Sequence, residues 1–109
     1  MQYKTRGNSS PQGKPRVYFC SHPEDFSLFF DEICAQLFPR SDCAVWYFSP
    51  DEPEPDEEER ALLLAQMQLF VAPVTARLLS TPNTAMDRDI PFAAAHHIPV
   101  LAEALWDPE

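Results

Sequence analysis

Asp87 and Asp89 are the residues of this chain best placed to do chemistry. In the stretch Asn83 to Leu101, NTAMDRDIPFAAAHHIPVL, they precede an apolar helical segment, Phe92 to Ala95, and then a short strand, Ile98 to Leu101. Following an earlier apolar strand and a polar loop, this pattern is a βα unit of an open parallel sheet. In such sheets the helix starts and loops at the carboxyl ends of the strands form the ligand crevice. A carboxylate there can hold the hydroxyls of a sugar and stabilise positive charge developing on it. Asp87 and Asp89 also suit the first turn of a helix, as a cap or beside the positive end of its dipole. Pro91, a residue suited to the first helical position, would put Asp89 or Ile90 at the helix boundary. The two roles are not exclusive.

A second group, Ser21, His22, Glu24 and Asp25, follows the first apolar strand, at the end where a doubly wound sheet holds its ligand. His22 could bond a phosphate or a ribose, or could be a turn residue with no role. Ser21 has no evident base partner, so the pattern does not support a nucleophilic triad. His96 and His97 are adjacent and would point apart on a helix, a place that suits a helix end. With no i, i+4 pairing among the three histidines, no metal site is expected. Both glycines, Gly7 and Gly13, lie in the first fifteen residues, which excludes GxGxxG and Walker-type phosphate loops elsewhere.

These residues need elements to position them. RVYFC, residues 16 to 20, reads as a first strand. Asp25 or Ser27 can cap a helix in which Phe26, Phe29, Phe30, Ile33, Leu37 and Phe38 recur at helical spacing until Pro39. CAVWYF, 43 to 48, is a second strand, and the three prolines between Ser49 and Pro55 require a loop. Acids from Glu54 to Glu59 favour a helix start before Ala61 to Gln66. LFVAPVT, 69 to 75, is a third strand, whose Pro73 lacks a ladder donor and so predicts an edge or a bulge. Strands alternating with helical segments at these spacings run parallel with right-handed crossovers. The expectation is an α/β chain of four parallel strands near 17–20, 43–48, 69–74 and 98–101, in order 2-1-3-4. Residues 1 to 15 form a flexible leader with nothing to bury.

A length of 109 residues predicts one domain. The net charge is −9, and seven of the seventeen acids lie between Asp51 and Glu59. That balance argues against nucleic acid as a ligand, because phosphate neutralisation needs clustered Lys and Arg. The acidic run reads as a solvated charge run plus a helix start, although it could also meet a basic partner surface. Cys20, Cys34 and Cys43 are odd in number, lack C-x-x-C spacing and read as buried thiols. With no signal peptide and no apolar run of spanning length, the expected setting is a reduced cytoplasm, away from membranes.

With these elements in place, the chain resembles a bacterial Toll/interleukin-1 receptor (TIR) domain over roughly residues 16 to 105. RVYFCSHPEDF at 16 to 26 looks like the family's first strand and Ser-His-x-x-Asp loop. QLFVAPVTARLLSTPN at 68 to 83 looks like its third strand and following loop, and AMDRDIPFAAAHHIPVL at 85 to 101 like its third helix and fourth strand. The resemblance implies a flavodoxin-like domain spanning 16–109 that either cleaves NAD at the nicotinamide–ribose bond or assembles with other TIR domains, in signalling or defence. Catalytic members use a glutamate early in the third helix, which aligns with Asp89, one methylene shorter. The tryptophan–cysteine pair common just upstream is replaced by Ala85 and Met86. The resemblance further implies NAD as substrate rather than a permanent cofactor, with Ser21, His22, Asp25 and Ser49 as binding candidates. Ser49 opens the loop that in the family gates the nucleotide. The family's fifth strand and final helix have no counterpart, which implies a truncated or minimal version. A receiver-like or other flavodoxin-like domain is disfavoured, because no phosphate-binding Gly or Ser/Thr cluster follows the first strand.

Overall fold

The computed structural model describes residues 1–49, 51–53, 55–80 and 82–104. Its centre is a mixed five-stranded sheet: β1 (Gln2–Thr5), β2 (Arg16–Phe19), β3 (Ala44–Tyr47), β4 (Leu69–Val74) and β5 (Val100–Ala104), in spatial order β1-β3-β2-β4-β5. The helices are α1 (Phe26–Leu37), α2 (Glu57–Leu64), α3 (Ala76–Ser80) and α4 (Ile90–Ala95). A π-helical segment, Ala85–Asp89, leads into α4.

Strands β2 to β5 are parallel and stand in the order expected for the four apolar runs, with β2 at the centre; the fourth runs over Val100–Ala104 rather than 98–101, because Ile98 N is bonded back to Ala93 O at the end of α4. The side chains sort by the two-residue period of a strand. Val17, Phe19, Val45 and Val71 face Phe30, Ile33 and Cys34 of α1. Tyr18, Cys20, Phe70 and Ala72 face Leu64, Leu78, Ala85 and Ala93 of the other helical layer. The chain winds from β2 to β3, then crosses back past β2 to β4. Crossovers of one hand therefore place α1 on one face and α2 on the other.

The expectation of four purely parallel strands is corrected, because residues 2–5 of the supposed flexible leader form an antiparallel edge strand on β3. Gln2–Thr5 shows no apolar alternation. Its support comes from the exposed backbone edge of β3 and from Tyr3 against Trp46, with ring centroids 5.1 Å apart. Gly7 (φ 67°) and Gly13 (φ 77°) provide the left-handed positions that return the chain to β2.

Pro73 is also corrected, for it lies neither at an edge nor in a bulge. Phe70 donates its N–H towards β5, to Pro99 O, so alternate residues Val71 and Pro73 would donate towards β2. Pairing with β2 stops at Phe19↔Val71, while β4 runs on beside β5 to Ala104. The missing N–H of Pro73 thus falls beyond the end of its neighbour.

Cys20, Cys34 and Cys43 are all buried free thiols. Burial pushes Cys34 up to about 12 and Cys20 higher still. Among the described residues no helix is long and apolar enough to cross a membrane.

Candidate functional site

The helix that carries Asp89 begins earlier than its sequence suggests. Asn83 caps it, with Oδ1 accepting from Met86 N at 2.9 Å and Nδ2 donating to Leu78 O at 3.0 Å. Helical backbone then runs through the π-helical turn into α4. Pro91 has no N–H to offer Asp87 O four residues back, and the widened turn ends beside it. The cap reading is therefore corrected for both acids. Asp87 is exposed, and Asp89 lies inside the helical run with no side-chain cap bond.

Asp89 instead points into the fold and is 2% exposed. Arg60 of α2 approaches it side-on, with Nε donating to Oδ1 at 3.0 Å and Nη2 to Oδ2 at 2.8 Å. The Tyr18 hydroxyl donates to Oδ2 at 3.1 Å and accepts from Arg60 Nη2 at 3.1 Å. The guanidinium also lies over the Phe48 ring, 4.6 Å from its centroid. Burial raises the Asp89 carboxyl, and the Arg60 guanidinium opposes that rise. Burial and the neighbouring carboxylate push the Tyr18 phenol well up. The arrangement is a planar two-bond ion pair with a phenol closing its third side.

This triangle forms one wall of a crevice of about 200 Å³ at the carboxyl ends of β2 and β3, beside the point where the winding of the sheet reverses. Ser21, Phe48, Ser49, Glu52, Thr84 and Ala85 are among its other lining residues. Ser21 Oγ donates to His22 O at 3.0 Å, so its proton is held by a backbone carbonyl rather than by a side-chain base. Glu52 Oε1 accepts from Ser49 N, and Oε2 pairs with the Met1 ammonium at 3.3 Å. Those contacts hold the Glu52 carboxyl below its usual range.

Of the expected site residues, Asp89, Ser21 and Ser49 share this crevice, whereas His22 and Asp25 do not line it. His22 Nδ1 accepts from Glu24 N at 3.1 Å and so starts the 3₁₀ turn Pro23–Asp25. Asp25 stands at the start of α1 without capping it, as does exposed Ser27 within its first turn. Its buried carboxylate accepts from Thr75 Oγ1 at 2.6 Å and Arg77 Nη1 at 3.1 Å, which ties α1 to the end of β4. The acidic run works locally, since Asp56 caps α2 by accepting from Glu59 N at 2.7 Å; Glu54 lies outside the described residues. Among the described residues no cluster of His, Cys, Asp and Glu could hold a metal ion.

Tyr18 and Arg60 carry little mark of a site role in the sequence. Tyr18 reads as one more apolar strand residue, and Arg60 is hidden at the end of an acidic run. One signal was available: Arg60 is the only basic residue between Arg40 and Arg77. A lone cation following seven acids, on a helix whose next residues are apolar, has reason to face inward. Comparison of the chain with protein-family models, with curated proteins and with solved structures finds no match in any of the three.

Proposed function

We propose that this chain is a TIR-type, flavodoxin-like domain whose crevice takes the nicotinamide–ribose end of NAD, with Asp89 as the carboxylate that acts on the ribose. The observation that carries this reading is convergence. Ser21, Ser49, Tyr18, Arg60 and Asp89 come from four separate parts of the chain and meet in one crevice at the reversal point of the sheet. Hydroxyls there suit the amide and ribose oxygens of the ligand, and an acid beside the ribose would stabilise a developing ribosyl cation. Purified protein incubated with NAD should release nicotinamide, and Asp89→Asn should lower that release about a hundredfold, on the order of 3 kcal/mol of transition-state stabilisation. Asp89→Glu, which restores the family's longer acid, should retain or raise it. Equal release from wild type and Asp89→Asn would remove Asp89 from the chemistry.

A second reading, assembly with other TIR domains without turnover, is favoured by the occupancy of Asp89. Both carboxylate oxygens are already taken, by Arg60 and Tyr18. Release absent from every variant, together with concentration-dependent association in sedimentation, would put assembly first.

A further inference from the structure

We infer that Arg60 is a gate, and that its movement off Asp89 joins the crevice to a second subsite for the other half of a dinucleotide. This inference rests on the NAD reading above. On the far side of Arg60 and Asp89 lies a second depression of about 450 Å³, between α2 and α4. Ala61, Leu64, Pro91 and Phe92 give it apolar walls, and the Arg88–Glu57 ion pair stands at its edge. Arg60 and Asp89 are the residues the two cavities share.

Each fact has a consequence for a ligand. The crevice alone is smaller than the roughly 300–1,000 Å³ typical of pockets that enclose whole ligands, whereas the two spaces joined fall within that range. The two residues common to both linings are joined to each other through their side chains. The guanidinium occupies both oxygens of Asp89 and brings positive charge to the spot where a cationic sugar would need a bare carboxylate. One movement of Arg60 would therefore uncover the carboxylate and lengthen the site. The apolar walls beside Phe92 suit a flat heterocyclic base, by stacking and by displacing water.

Helix α2, which carries Arg60, is short and exposed on its outer side. It has eight residues and follows a proline-containing loop, with Leu62 on its outer face 65% exposed. Its ties to the rest of the fold include buried Leu64, the Arg60–Asp89 pair and the exposed Arg88–Glu57 pair. Exposed pairs contribute little, so α2 is held chiefly by Leu64 and by Arg60, through Asp89, the Tyr18 hydroxyl and the Phe48 ring.

The test uses the full chain and its Arg60→Ala variant, with folding checked by circular dichroism. Two quantities are read: nicotinamide release from NAD, and amide hydrogen exchange over residues 57–64. The gate predicts that Arg60→Ala raises release about tenfold or more: the two-bond charged contact no longer holds the closed state, and the space left by the short side chain admits water and the cationic ligand, which keep Asp89 ionised. Adding Asp89→Asn should abolish the gain. Exchange over 57–64 should quicken while that of β2 and β4 stays unchanged. Faster exchange with no release from any variant would leave the gate standing and defeat the cleavage reading. Measurable wild-type release that Arg60→Ala leaves unchanged, or unaltered exchange over 57–64, would overturn the gate. Should Arg60→Ala fail to fold, Arg60→Lys keeps the charge without the two-bond fork, and its release should lie above wild type; where wild-type release is measurable, release at or below it overturns the gate.

Discussion

Replacing Arg60 with methionine should destabilise the protein in a way that depends on pH. Methionine fills much of the same space over Phe48 but cannot donate, so Asp89, with 3% of its side chain exposed, keeps only the Tyr18 hydroxyl. A carboxylate so placed escapes its desolvation by taking a proton. Holding an aspartate neutral at pH 7 against an unfolded value near 3.9 costs about 4 kcal/mol, at about 1.36 kcal/mol per unit. This is a ceiling, because burial already raises the wild-type carboxyl. The expected loss at pH 7 is therefore about 2–4 kcal/mol, near the range for a buried pair deprived of one partner. The sign follows from the raised folded value: the penalty is present above the unfolded value and fades as pH falls towards it. At pH 4.5 protonation costs under about 1 kcal/mol, and with the remaining hydrogen-bond and packing contribution the loss should shrink to about 1–2 kcal/mol. Urea unfolding followed by circular dichroism at the two pH values reads this directly, with a midpoint lowered by about 1–2 M at pH 7. A loss that is the same at both pH values, or under about 1 kcal/mol at pH 7, would refute the reasoning. Adding Asp89→Leu should recover most of the loss, since apolar replacement of both partners removes the buried charge altogether.

Three further outcomes are expected. Thr75→Val removes the hydroxyl that donates to buried Asp25 and accepts from Leu78 N, and should cost about 2–3 kcal/mol in chemical denaturation. The three buried thiols should resist alkylation at pH 8 in the native protein while reacting fully in denaturant. Because burial raises Cys20 and Cys34, stability should also fall as pH climbs past the unfolded thiol value of about 8.5, where the unfolded chain ionises first. His97 holds a left-handed backbone (φ 58°) just past α4, with Ile98 N donating back to Ala93 O. His97→Gly should raise stability by about 1 kcal/mol in the same denaturation assay.

The parallel core of the sheet was legible because its strands follow short apolar runs of β-forming residues set between helical or polar segments, although only Val100 and Leu101 of the fourth run enter β5. That pattern permits few arrangements once crossovers share one hand. Strand β1 carried no such mark. Gln2–Thr5 gains its place from an unpaired backbone edge, and a backbone donor or acceptor has no residue type. The acid position at Asp89 could likewise be read from the chain, but its role as a cap could not survive folding. The helix starts at Asn83, because a side-chain amide that bonds both Met86 N and Leu78 O outcompetes the later acids. Which groups meet Asp89 was decided by tertiary structure alone. Tyr18 is 71 residues away in sequence and Arg60 is 29, and only the reversal of winding at β2 brings α2 and α4 onto the same face. A buried carboxylate must find a cation wherever the fold supplies one. Local sequence could place that charge on its helix, but the partner across the sheet had to be set by packing.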